Sequence, residues 1–205
     1  MYSTIAGQLG HPSGLLGKGV ALFLNQGNRS AIAAAVDVLS IDPGKTVADI
    51  GFGGGVGLPM LLKRVGESGT VYGVEISGEM LASAERRLSR NVGLGTLHLL
   101  RGSMTDLPLG DSALDAAITV NTVYFVPDLD LACAELARVL HPRGRLVVGI
   151  GDPEAMARMP FTSYGFTLRP PADVIAALKA AGLSLTEHRR LDKGPIPHHL
   201  LVVRR

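Results

Sequence analysis

The segment Val47-Ala48-Asp49-Ile50-Gly51-Phe52-Gly53-Gly54-Gly55-Val56-Gly57 constrains the fold of this chain more than any other. It reads as a buried strand that ends in an acidic residue and breaks into glycines. A helix restarts near Val56 and carries Leu58, Met60, Leu61 and Leu62. Glycines at such a turn let a ligand lie against the backbone, because no Cβ blocks its approach and φ is free. A dinucleotide fingerprint needs G-x-G-x-x-G. Counted from Gly51 its last position is Val56, and from Gly53 it is Leu58, so neither frame fits. No G-K-[ST] follows, which removes a phosphate-cradling P-loop. What remains is D-x-G-x-G-x-G, formed by Asp49, Gly51, Gly53 and Gly55. A carboxylate there repels a pyrophosphate and suits a ligand with a cationic amine.

The order of elements sets the fold class. A helical segment from about Gly14 to Leu39 precedes the turn Asp42-Pro43-Gly44, and the first strand is Thr46–Ile50. Strands follow at Thr70–Glu75, Thr96–Leu100, Leu114–Thr119 and Arg145–Ile150. Helices are expected after the glycine turn, from Ser77 to about Asn91, over Leu129–Leu140 and over Pro171–Ala181, the last closed by Gly182. Leu183–Leu191 and His198–Val203 are two consecutive strands that meet around Gly194-Pro195, an antiparallel hairpin closing the sheet edge. Strands alternating with helices predict a doubly wound α/β sheet in one domain spanning 1–205. Residues 1–40 form an N-terminal helical cap in this scheme, and 151–170 a lid loop on the substrate side.

This order, from about residue 40 to 204, and the Asp49–Gly55 turn resemble the class I S-adenosylmethionine (SAM) methyltransferases. The resemblance implies a Rossmann-like seven-stranded sheet with its last strand antiparallel and helices on both faces. It also implies SAM as cofactor and S-adenosylhomocysteine as product. Asp49, Gly51, Phe52, Gly53 and Gly55 then form the cofactor turn. Glu75, followed by Ile76, matches the family's acidic residue for the ribose hydroxyls, and a carboxylate offers two acceptor oxygens to two adjacent donors. The loop Gly102-Ser103-Met104-Thr105-Asp106-Leu107-Pro108-Leu109 resembles the family's G-D-A-x-x-L-P-F on the adenine side, with Ser103 and Met104 in place of Asp and Ala. Asp106 reads as a turn residue. Asn121, after the fourth strand, lies near the methionine end of SAM, and Tyr124 and Phe125 border the acceptor's entry. Leu136–Leu146 matches R-V-L-x-P-G-G-R-L, a structural piece, with Arg143 in place of a glycine.

Composition and absences narrow the function. The 205 residues are 46% hydrophobic, enough for a substantial core, and the formal charge of +2 comes without a basic block, so nothing suggests nucleic-acid capture. One cysteine, Cys133, fits a reducing compartment and packs mid-helix. The longest apolar stretch near the N-terminus, Val20 to Leu24, is too short to span a bilayer, and no signal peptide is evident. The chain is therefore expected to be cytoplasmic. No N-P-P-[YFW] motif stands at the fourth strand, which argues against amino-methylation of adenine or glutamine. No metal-ligand spacing occurs either. His198 and His199 alternate on a strand and read as two surface or edge histidines.

The expected reaction is methyl transfer to a small, fairly apolar acceptor at O, N, S or C. Alignment is the main task, worth up to about 7–11 kcal/mol. The sequence nominates no clear general base; His11, Tyr124 and Tyr164 are the candidates. Met156, Met159, Phe161, Tyr164 and Phe166 suggest an apolar lid. The N-terminal segment is expected to cap the cofactor, with pairing to a second subunit or lying on a membrane surface as alternatives. Methylation of a macromolecule and cofactor binding without turnover are the competing functions.

Overall fold

The computed structural model describes residues 28–205 apart from 160, 161, 163, 164, 193 and 195. His11, Phe161, Tyr164 and residues 1–27 of the expected 1–40 cap lie outside the described residues. Helix α1 covers residues 28–39, followed by β1 (Thr46–Ile50), α2 (Gly57–Val65), β2 (Thr70–Glu75), α3 (Gly78–Arg87) and α4 (Ser89–Gly93). Then come β3 (Leu97–Arg101), β4 (Leu114–Val120), a 3₁₀ turn (Val123–Phe125), α5 (Leu129–Val139) and β5 (Leu140–Gly151). The chain ends with α6 (Pro153–Ala157), α7 (Pro171–Ala180), β6 (Ser184–Leu191) and β7 (His198–Arg204).

The strands form one seven-stranded sheet in the order β3-β2-β1-β4-β5-β7-β6. β1 pairs in parallel with β2 and β4, β2 with β3, and β4 with β5, while β7 runs antiparallel to both β5 and β6. Alternating residues feed two cores, one on each face. Ala48 and Ile50 of β1 join Leu146, Val148 and Leu136 on one side. Val47 joins Leu58, Leu61, Val36 and Leu39 on the other. Residues 28–39 thus pack as a layer helix on the α2 face.

Two expectations change. The helix after Ser77 breaks at Leu88 into α3 and α4, although Ser77 does cap it by accepting from the Met80 amide at 3.5 Å. More important, the expected hairpin does close the edge, but its last strand, β7, is not the outer one. It inserts between β5 and β6, so six of its seven residues are buried while β6 is mostly exposed. His198 and His199 are therefore buried, not surface histidines. The signal was there: Leu200–Val203 is a continuous apolar run, as a doubly covered strand requires, whereas β6 carries Glu187, Arg189 and Arg190.

Arg143 adopts φ 75°, the left-handed conformation in which the family motif carries glycine. The resemblance thus extends to backbone shape even where the residue differs.

Candidate cofactor and acceptor site

The turn after β1 needs glycine for steric reasons that the structure makes explicit. Gly51, Gly53 and Gly55 have φ of 70°, 51° and 70°, which residues with a Cβ rarely adopt. A Cβ on Gly51 would also lie 2.5 Å from the Thr122 side chain, while the space beside Gly53 is open. The Arg87 guanidinium, reaching from α3, donates to the Gly54 carbonyl at 2.6 Å and holds the turn from behind. The Phe52 ring is buried and packs between Gly55 and Gly73.

Two carboxylates flank the turn. Glu75, at the end of β2, is buried and accepts from the Gly53 amide at 2.8 Å, the Ile76 amide at 2.9 Å and the Ser77 amide at 3.0 Å. Its oxygens offer about four lone-pair sites in all, so the carboxylate is oriented but not saturated. Ile76 beside it is 41% exposed, an apolar surface next to a polar pair. Asp49 is different. It is 5% exposed and sits against Gly57, where no Cβ would fit, and no hydrogen bond reaches its carboxylate among the described residues. Burial, and secondarily the Glu75 charge, push its pKa up to about 7. A buried, unpaired carboxylate costs stability unless a cation joins it.

The loop beyond β3 is anchored from α5. Glu135 accepts from the Leu107 amide at 2.9 Å, and Arg138 donates to the Leu107 and Leu109 carbonyls at 3.1 and 2.8 Å. Arg138 holds the Glu135 carboxyl below its usual range. Within the loop the Ser103 hydroxyl meets the Thr105 hydroxyl at 2.8 Å and accepts from its amide at 3.2 Å. Met104 is buried, and Asp106 is an exposed turn residue.

On the far side of the turn, Asn121 takes φ 59° directly after β4, a conformation asparagine tolerates. Its side chain lies between the Tyr124 hydroxyl at 3.2 Å and His198 Nε2 at 3.1 Å. Sequence reasoning missed His198. Tyr124 is buried beneath the loop, and burial raises its pKa above the usual phenol range, which makes it a poor base. Phe125 and Phe166 stay half-buried, with ring centroids 4.7 Å apart. The loop is tied down by Arg169, which donates to the Val123 and Val126 carbonyls at 2.6 and 2.7 Å, and by the Thr167 amide on the Tyr124 carbonyl at 3.0 Å. Met156 is buried under it. Cys133 is buried in α5 with its thiol pKa pushed up to about 12, so it stays protonated. Among the described residues no cluster suits a metal ion, and no helix is long and apolar enough to cross a membrane.

An orphaned carboxylate, a left-handed glycine turn and an oriented second carboxylate suit a ligand that combines an amine with a ribose. Residues 48–148 match a family model described as a methyltransferase domain. The chain belongs to the class I SAM-dependent methyltransferases. Among its methyltransferase relatives, it is 30% identical over 130 residues to the arsenite methyltransferase of Halobacterium salinarum, covering 63% of this chain and 32% of the relative. It is 32% identical over 106 residues to the 2-phytyl-1,4-naphtoquinone methyltransferase of Trichormus variabilis, covering 52% of this chain and 46% of that one. The chain thus spans between a third and a half of the length of these curated relatives. A SAM-dependent methyltransferase from Aquifex aeolicus shares the fold with a TM-score of 0.72 at 23% identity, covering 98% of this chain and 97% of that one.

Proposed function

We propose that this methyltransferase moves a methyl group from SAM to a small, fairly apolar acceptor by in-line displacement. The observation that carries the reading is Asp49, a buried carboxylate with no hydrogen bond among the described residues, poised beside three left-handed glycines and within the field of Glu75. When bound, SAM supplies a sulfonium methyl that is already electrophilic. The residues have the remaining tasks. Asp49 takes the cationic amine by a charge-assisted bond, and Glu75 accepts from the ribose hydroxyls. Gly51, Gly53 and Gly55 allow close approach, and the Phe52 backbone lies within this turn. Ile76, Met104 and Ser103 border the base, with the Ser103 hydroxyl engaged by Thr105 rather than free. The Asn121 backbone, next to Gly51 through Thr122, borders the methionine end.

The acceptor side is aromatic and apolar, with Phe125 and Phe166 half-buried beside Tyr124 and over Met156. Such a wall excludes water and aligns an apolar molecule, which is the main rate contribution a methyl transfer needs. The named relatives act on small acceptors, which supports the same class here. Two measurements test the proposal. Calorimetry should detect SAM and not NAD. Single turnover with labelled SAM and a metabolite extract should then label one small product. Binding without any labelled product would reduce the chain to a SAM-binding protein.

A further inference from the structure

The carboxyl edge of the sheet places Gly51, Asn121, Gly151 and His198 in a row, because β1, β4, β5 and β7 are neighbours and β7 runs backwards. His198, the first residue of β7, pairs with Gly151, the last of β5. A residue from the far end of the chain thereby reaches the edge where ligands of α/β sheets sit.

These residues form a hydrogen-bond chain with a single direction. The Gly151 amide donates to the Tyr124 hydroxyl, whose single proton has Asn121 Oδ1 at 3.2 Å as its nearer acceptor and the Gly151 carbonyl at 3.5 Å as the farther one. Asn121 Nδ2 meets His198 Nε2 at 3.1 Å, and His198 Nδ1 meets the Ile196 carbonyl at 2.9 Å. A carbonyl only accepts, so Nδ1 carries the proton. An amide nitrogen only donates, so Nε2 is the acceptor. His198 is thus neutral, in one tautomer, and 5% exposed. Burial, aided by the neighbouring His199, holds its pKa below the usual histidine value, in agreement with this geometry.

The chain leaves the Asn121 carboxamide half used. Oδ1 has two lone pairs and Tyr124 takes one; Nδ2 has two hydrogens and His198 takes one. One acceptor and one donor remain on a residue that is itself only partly buried. A hydroxyl group, which donates and accepts, is their complement. Beside this polar corner the half-buried Phe125 and Phe166 rings pack on the buried Tyr124 ring, with Tyr124–Phe166 centroids at 5.8 Å and Phe125–Phe166 at 4.7 Å, an aromatic wall suited to contact with another ring.

We propose that the Asn121 carboxamide takes the hydroxyl of an aromatic methyl acceptor, a phenol or hydroquinone, and that His198 is the positioning residue that fixes which end of the amide is offered. Without an acceptor at Nε2 the carboxamide loses its anchor and its donor and acceptor ends can exchange places. The inference rests on the methyltransferase reading and names the substrate class for it.

The test uses the protein loaded with S-adenosylhomocysteine, whose own Kd is measured in every variant. Two probes are titrated anaerobically by calorimetry: 1,4-dihydroxynaphthalene and 1,4-dimethoxynaphthalene. The wild type should prefer the dihydroxy probe by about tenfold or more, because a site built to pair a hydroxyl rejects an ether that cannot donate. His198→Gln should keep that preference, since Gln Oε1 can accept from Asn121 where Nε2 did. His198→Leu should lose it while homocysteine-nucleoside binding stays intact. Asn121→Gly, which keeps the left-handed backbone and deletes the carboxamide, should lose it as well. Nitrogen NMR should find the His198 ring neutral and protonated at Nδ1. Equal binding of the two probes, binding of neither, a preference that survives His198→Leu or Asn121→Gly, or the opposite tautomer would each overturn the proposal. Failure of S-adenosylhomocysteine to bind at all would instead sink the cofactor reading.

Discussion

The two carboxylates and the glycine turn proposed for the cofactor come from one stretch of chain, Asp49 to Glu75, whereas the proposed acceptor half gathers Asn121, Tyr124, Gly151 and His198 from widely separated positions. The two halves also differ in electrostatic state. Asp49 is buried and unpaired, held near pH 7 by its own desolvation and the Glu75 charge. Around Asn121 every bond runs in one direction between neutral groups. The first half is unfavourable until a cation arrives. The second joins neutral groups that already bond one another, with one donor and one acceptor of Asn121 left over among the described residues, so it can shape an acceptor without weakening the fold. A site can thus store its unfavourable electrostatics where the charged ligand binds and stay rigid where the variable one binds.

Asp49→Asn breaks this contrast most directly. It should weaken SAM binding by roughly 10–100-fold, the value of a lost charge-assisted hydrogen bond. The same change should raise the melting temperature of the ligand-free protein, because it removes a buried charge. Calorimetry and thermal unfolding read the two opposite signs. A loss of both would mean that Asp49 is a structural residue.

The pH dependence sharpens the same point. Binding a cationic amine needs the Asp49 carboxylate, and the free group titrates at about 7. SAM affinity should fall by about tenfold per unit below that pH and fall again above about 8, where the ligand's own amine loses its proton. Stability of the ligand-free protein runs the other way. With the folded pKa raised above the unfolded one, the contribution is fully present below the ordinary carboxylate range and is lost as pH rises through 7. Asp49→Asn should flatten both curves around pH 7.

On the acceptor side, Tyr124→Phe leaves the Gly151 amide without its hydroxyl partner and one Asn121 lone pair empty. Unfolding should become easier by about 1–3 kcal/mol, with SAM affinity nearly unchanged. Denaturant titration paired with calorimetry checks the separation of the halves; a large loss of SAM binding would show them coupled. The smallest effect is expected for Arg87→Ala, which removes the donor behind the Gly54 carbonyl. A loss of roughly two- to fivefold in SAM affinity is predicted. No change would mean that the glycine turn holds its shape unaided.

Sequence-based bounds for β1 and β2 coincide with the structure, and the other strands shift by a residue or two, β5 apart, which takes in the expected turn at His141–Gly144. These segments alternate sharply with glycine turns, so local pattern suffices. The lid was only partly legible. Of its expected aromatic members only Phe166 is among the described residues, and the Arg169 clamp on the Val123 and Val126 carbonyls joins residues far apart in the chain. Ser103 shows the same limit: its type was visible, while its partner Thr105 depended on the fold of the loop.

The sequence alone pointed to the glycine turn after the first strand, because an acidic strand end followed by three spaced glycines favours left-handed backbone, and Gly51, Gly53 and Gly55 adopt it. Only the tertiary structure decided the fate of His198. A terminal strand pair looks like a sheet edge in sequence, and an edge histidine is solvated. Insertion of β7 between β5 and β6 instead buries that residue against Asn121. The apolar run Leu200–Val203 marks β7 as a covered strand, but that His198 meets Asn121 depends on long-range pairing with β5.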